Sequence, residues 1–329
     1  MSEGTRPGQG RTVQAVRTEV QFESPREIAN QHIWVHGDDG EGRLPCYASR
    51  DLSRSSPDIE RLIVVVHGAL RDSDRYFAHA GDAAGQARAA ALIVAPQFLA
   101  DVDINVLGAS PDTLYWGIEG WKGGEPAVGP AKISSFRAMD CLLEQLTAAE
   151  RRPAGRKLVV VIIGNSAGGQ YVNRYAAVGR APDTLAERDI QVRFVIANPS
   201  TYLYFDKYRP VPVPDDTGIN RWRYGFDEHP PYVKDTPRQS LRRYLERDVT
   251  IVLGAEDRDG GALLLEVSAA AMAQGANRLE RGIRYGEYIR ERARDEGLVA
   301  RHRVIELSGV GHAAGEVLAD QQTREIMFG

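Results

Sequence analysis

Six short apolar runs punctuate the chain, at 62–66, 92–95, 158–163, 194–197, 251–253 and 304–307. Each is rich in β-branched residues. Such runs suit strands buried on both faces, because a strand with helices on either side has no polar face to show. The segments between them carry a helical period. Ile133, Phe136, Met139, Leu142, Leu143 and Leu146 recur at steps of three and four, marking one face of a helix. The Ala-rich stretch 74–90 reads as a helix, as does the stretch after Gly168. A long mixed-charge helix is expected over 262–294, with a break around Gly275 or Gly282 and with Glu280 supporting Arg284 at an i,i+4 spacing. Strands alternating with helices predict an α/β fold with a mostly parallel central sheet. The more alternating segments 13–22 and 27–35 suit antiparallel strands at one edge. Residues 1–12, all Gly, Pro, polar groups and charge apart from the start, read as a disordered tail, which leaves 13–329 as one domain.

Composition narrows the function. With 43% hydrophobic and 26% charged residues the chain has the balance of a soluble globular protein. Its net charge of -4 gives no electrostatic reason to expect nucleic acid or an acidic membrane as partner. The basic stretch 238–247 reads as a solvated helix face. The two cysteines, Cys46 and Cys141, form neither a disulfide framework nor a metal spacing, and Cys141 sits in an apolar-periodic stretch that predicts a buried thiol. No stretch approaches the roughly 18 apolar residues of a membrane span, and the first residues lack the apolar run of a secretory signal. A cytoplasmic location is the default expectation.

The sharpest local signal follows the run 158–163. It reads Gly164-Asn165-Ser166-Ala167-Gly168-Gly169, a G-x-S-x-G pattern between a strand and a helix. A strand that turns abruptly into a helix projects the Ser side chain from the C-terminal edge of the sheet. The turn brings neighbouring backbone so close that only small residues fit beside it. The new helix aims its free N–H groups at a reacting carbonyl. A phosphate-binding turn is the competing reading, but no G-x-G-x-x-G is present and no Lys-Ser or Lys-Thr follows the glycines. Ser166 is therefore the candidate nucleophile.

A serine hydroxyl needs a base, and the base an orienting acid. His312, in Gly309-Val310-Gly311-His312, follows the last strand run and so belongs at the same sheet edge as Ser166. His302 begins that strand and belongs at the opposite edge. The run 251–253 leads into Gly254-Ala255-Glu256-Asp257-Arg258-Asp259, where Asp257 is the preferred acid and Asp259 and Glu256 are the alternatives. The order Ser166, Asp257, His312 is one of the three known for such triads. For the oxyanion, Ala167 supplies one N–H by position. The second is expected from His67-Gly68-Ala69-Leu70, with Ala69 first and Leu70 as fallback, while His67 braces the loop.

These motifs together resemble the α/β-hydrolase superfamily, over roughly residue 13 to the C-terminus. The Gly-x-Ser-Ala-Gly-Gly form is similar to that of esterases, lipases and depolymerase-like carboxylic-ester hydrolases. The single His-Gly pair departs from the His-Gly-Gly-Gly loop of the hormone-sensitive-lipase group, and the stretch from Asp257 to His312 is longer than the family's usual one. The resemblance implies ester hydrolysis by a Ser-His-Asp triad on a small substrate with an acyl group. Amidase, peptidase or acyltransferase chemistry would use the same triad, and a non-catalytic binding protein on this fold is the reading from a different class.

No metal or organic cofactor is required by such chemistry. Asp101, Asp103 and Asn105 have the spacing of a calcium loop, but Val106 stands where its sharp turn needs Gly, so a polar loop is expected. Two aromatic-rich stretches, 99–132 and 201–237, read as binding loops, the second as a lid. Leu70, Tyr115, Trp116, Trp121, Tyr202 and Trp222 are the candidate substrate contacts, which suggests an apolar or aromatic acyl or alcohol part.

Overall fold

All six apolar runs are strands in the computed structural model, which describes residues 25–148, 157–214, 217–299 and 301–329. The tail expected at 1–12 and the strand expected at 13–22 lie outside these residues. In chain order the strands are β1 (Gln31–Gly37), β2 (Gly40–Ala48), β3 (Arg61–Val66), β4 (Ala91–Pro96), β5 (Leu99–Ala100), β6 (Tyr115–Trp116), β7 (Val159–Asn165), β8 (Gln191–Ala197), β9 (Asp248–Gly254) and β10 (Arg303–Leu307). The helices are α1 (Ser73–Ala84), α2 (Asp101–Leu107), α3 (Ser135–Leu146), α4 (Ala167–Val178), α5 (Ala181–Glu187), α6 (Pro237–Glu246), α7 (Ala269–Met272), α8 (Arg278–Asp295), α9 (Ala314–Ala319) and α10 (Gln321–Phe328).

Eight strands form the main sheet in the order β1-β2-β4-β3-β7-β8-β9-β10. β1, β2 and β4 pair antiparallel, and from β4 through to β10 every pairing is parallel. The continuous runs have a simple cause. Leu62, Val64 and Val66 of β3 face a core shared with α3, α4 and α8, while Ile63 and Val65 face a second core with Tyr76 and Ala80 of α1 and Met327 of α10. Side chains alternate between faces, and both faces are dry. β8 and β9 begin earlier than their apolar runs because Gln191 and Asp248 sit at the wet edge of the sheet.

Registers align the ends of the parallel strands. Val66 pairs with Gly164, Asn165 with Ala197, Ala197 with Val252 and Gly254 with Leu307. The loops after β3, β7, β8, β9 and β10 therefore open on one edge.

Four expectations need correction. The helix expected over 74–90 ends at Ala84, where Gly85 turns left-handed and a 3-10 stretch follows. The long helix expected over 262–294 is instead an irregular segment, the short α7 and then α8. Its break falls at Gly275, with φ of +145°, and Asn277 caps the restarted helix by accepting from the N–H of Glu280 at 2.9 Å. Gly282 lies inside α8, because a Cβ there would press into Leu253. The polar loop expected at 101–105 is α2. Arg247, grouped with a solvated face, is buried instead, donating to the carbonyls of Ala176 and Gly179 at the end of α4 and to Asp183. Glu280 and Arg284 do pair, at 2.5 Å.

Candidate active site

Ser166 stands between β7 and α4 with φ of 59° and ψ of -119°. A non-glycine residue there costs about 1–3 kcal/mol and persists where its surroundings over-determine it. They do so here. Ser166 N–H donates to the carbonyl of Ala197 at 3.0 Å, and its own carbonyl accepts from Gln170 N–H at 3.0 Å. The glycines around it are closed in by backbone. A Cβ on Gly164 would meet Gly168, one on Gly168 the carbonyls of Val66 and His67, and one on Gly169 the carbonyl of Ala197.

His312 and Asp257 meet across the loops after β10 and β9, with Nδ1 of the imidazole 2.6 Å from Oδ2 of the carboxylate. Asp257 is buried and His312 half-buried. The two loops are joined by backbone bonds, Ala255 N–H to Leu307 and Glu256 N–H to Val310, at 3.0 and 2.9 Å. The alternatives point elsewhere. Glu256 and Asp259 are exposed, and Asp259 accepts from the N–H of Gly261. Sequence reasoning missed three partners of this pair. Arg278, buried at the start of α8, sets Nη1 3.4 Å from Oδ1 of Asp257. Asn165 donates its amide to the carbonyl of His312, and Asn198 donates to that of Gly311 while accepting from Gly254 N–H. An Asn on each side of the switch from strand to loop was the available signal.

The loop after β3 is held from below. Arg71 makes a bidentate pair with Asp103, Nε to Oδ2 at 2.6 Å and Nη2 to Oδ1 at 2.9 Å, with both side chains fully buried. Its Nη1 donates to the carbonyl of Ala69 at 2.9 Å. His67 is also fully buried; Nδ1 donates to the carbonyl of Gly68 and Nε2 accepts from the N–H of Phe98. Burial pushes its pKa down to about 4, so it stays neutral. His302 sits at the other edge, bonded to the carbonyl of Tyr244.

Solved structures share this architecture over most of the chain. Poly(aspartic acid) hydrolase-1 from Sphingomonas sp. KT-1 superposes with a TM-score of 0.62 at 20% identity, covering 93% of this chain and 100% of its own. LpqC, a poly(3-hydroxybutyrate) depolymerase from Bordetella parapertussis, gives 0.61 at 24% identity, covering 87% and 85%. The chain has the α/β-hydrolase fold. No protein-family model and no curated protein matches the sequence.

Within this fold a cavity of about 530 Å³ opens at Ser166, bordered by Ala69, Ala167, Gln170, Ser200 and the irregular segment 261–267. Glu119 and Lys122 complete its wall. The expected aromatic contacts do not border it. Trp116 and Trp121 are buried, Trp121 with its ring 4.6 Å from that of His67 and stacked on Phe98. Tyr202 is buried against Tyr285 at 4.4 Å. Trp222 donates its indole N–H to the carbonyl of Gly123, Tyr115 packs on Gly129, and Leu70 is exposed. The buried rings of Trp116, Trp121 and Tyr202 brace the loops, and a ring that fills core space next to a loop has the same sequence signature as one that lines a pocket. Among the described residues no group of three or more His, Cys, Asp or Glu is placed to hold a metal ion, and no helix is long and apolar enough to cross a membrane.

Proposed function

We propose that the protein is a serine hydrolase that cleaves carboxylic esters through an acyl-enzyme on Ser166. The observation that carries this reading is a serine in a left-handed strand-to-helix turn, at a cavity, on the same sheet edge as a His312–Asp257 pair at 2.6 Å. Ser166 Oγ attacks the carbonyl carbon as its proton passes to Nε2 of His312. The N–H groups of Ala167 and Ala69 receive the oxyanion. His312 then protonates the leaving oxygen as the carbon–oxygen bond breaks. Water gives a proton to His312 and attacks the acyl carbon, and Ser166 departs with that proton. Asp257 accepts from Nδ1–H throughout, fixing the tautomer and stabilising the imidazolium.

Amide cleavage and transfer to an acceptor other than water use the same groups, so the test carries matched ester and amide substrates. Ester turnover should fall by about four to six orders of magnitude in Ser166→Ala or His312→Ala. Turnover that survives in both variants would sink the assignment. An inert wild type that also ignores a fluorophosphonate probe would favour a binding protein.

A further inference from the structure

Charge is unevenly distributed around the cavity. Lys122 is 8% exposed and donates from Nζ to Oε1 of Glu119 at 2.7 Å, which uses one of its three donors. The other oxygen of Glu119 accepts from Nη1 of Arg223 at 2.8 Å, so one carboxylate serves two cations. Burial pushes the Lys122 ammonium below its ordinary pKa, and the charges of Arg223 and Arg174 add to that push against the attraction of Glu119.

Arg174 of α4 lies directly behind. It is 1% exposed, and its hydrogen bonds go to the carbonyls of Arg223 and Lys122, the amide oxygen of Gln170 and the hydroxyl of Thr201. All of these acceptors are neutral. Two of the residues it touches, Lys122 and Gln170, border the cavity. On the far side Arg281 of α8 is fully buried and donates to the carbonyls of Gly275, Ser200 and Glu266. Lys122, Arg174, Arg223 and Arg281 are thus set against the carboxylates of Glu119, Glu125 and Glu266, of which Glu119 and Glu266 also border the cavity, in a chain whose net charge is -4. Burying a guanidinium without a counter-charge is costly. A cleft with low-dielectric walls and a surplus of one sign concentrates the opposite charge.

We propose that this cavity takes acyl groups that carry a carboxylate, received at the Glu119–Lys122 wall, with Arg174 and Arg223 supplying the field behind it. This rests on the serine-hydrolase reading and names its substrate class. Lys122 contacts the carboxylate directly. Arg174 acts through the neutral groups it holds at the cavity border, adding to the field of Lys122 without touching the substrate.

The test compares the full chain on two esters of one leaving group, p-nitrophenyl hydrogen adipate and p-nitrophenyl hexanoate. These match in length and differ in a terminal carboxylate. The adipate should be favoured in kcat/KM by about 10- to 100-fold at low salt, carried mainly by KM, and the preference should shrink as ionic strength rises. Lys122→Gln should lower the ratio by about tenfold and Lys122→Arg should keep most of it. Arg223→Gln should lower it as well, which keeps the test decisive if Lys122→Gln does not fold. A ratio of one or less in the wild type, or a ratio unchanged in folded Lys122→Gln and Arg223→Gln, would overturn the proposal. In those outcomes fluorophosphonate labelling of Ser166 with turnover of the hexanoate leaves the hydrolase reading standing. Turnover of neither ester, without labelling, overturns both.

Discussion

The side-chain amide of Asn165 donates to the main-chain carbonyl of His312 at 3.0 Å, while its oxygen accepts from Asn198 at 3.2 Å. The residue before the serine therefore fastens the loop that carries the candidate base. Removing that bond leaves a partly buried carbonyl without its donor, a loss of about 1–3 kcal/mol. Asn165→Ala should lower kcat/KM by about 10- to 100-fold, on the premise that a base displaced by about an ångström loses that much. Steady-state kinetics on one ester, with circular dichroism to show retained fold, checks this. Wild-type kinetics in the folded variant would contradict it.

Gly168 is tied to β3 by backbone contact, since a Cβ would enter the space of the Val66 and His67 carbonyls. Neither carbonyl can withdraw freely, as Val66 ends β3 and the fully buried His67 follows it directly. Gly168→Ala should cost about 3 kcal/mol, read as a lowered denaturant midpoint. An unchanged midpoint would mean that the turn has room that the contacts deny.

The Arg71–Asp103 pair is fully buried, so its two halves should behave very differently from its whole. Arg71→Met leaves the Asp103 carboxylate without that counter-charge and should destabilise by about 3–5 kcal/mol. Replacing both, Arg71→Met with Asp103→Leu, should recover much of that stability. The double variant should nonetheless be slow on esters, because the carbonyl of Ala69 loses its donor. A double-mutant cycle in urea and one kinetic trace separate the two effects.

Two histidines make folding sensitive to acid. His67 and His302 are each pushed by burial from 6.5 to about 4. Both are neutral in the native state and take up a proton on unfolding below their unfolded value. The stability they contribute is present above pH 6.5 and is lost as pH falls toward 4, by about 1.4 kcal/mol per pH unit for each histidine. Urea midpoints measured between pH 7 and 4 should fall accordingly, and His302→Gln should flatten the slope. A midpoint that holds constant across that range would contradict the burial of both imidazoles.

Much of the architecture was legible because buried parallel strands cannot hide. The runs around Val64, Ile162 and Ile251 are apolar on both faces, and their ends place Ser166, Asp257 and His312 along one edge. β2 was not legible, since Pro45 and the charges of its first half break the pattern, and it pairs with β4 only from Cys46 onward. The part of the cavity wall at 262–267 was misread as helix. Its leucines, Leu263, Leu264 and Leu265, are compatible with a helix by composition, but Leu264 takes φ of 65° and the backbone there is irregular. Trp121 and Tyr202 carried no label that separates bracing from binding. Lys122 and Arg174 drew no notice because isolated cations in sequence look solvated, and only the fold buries them beside the cavity.

The most direct test is to trap the acyl-enzyme. A fluorophosphonate, or an ester quenched in acid during turnover, should add one equivalent to the intact mass, and peptide mapping should locate it on Ser166 alone. The His312→Ala variant should not form the adduct. An adduct on any other residue, or ester turnover with no adduct to the chain, would contradict the account.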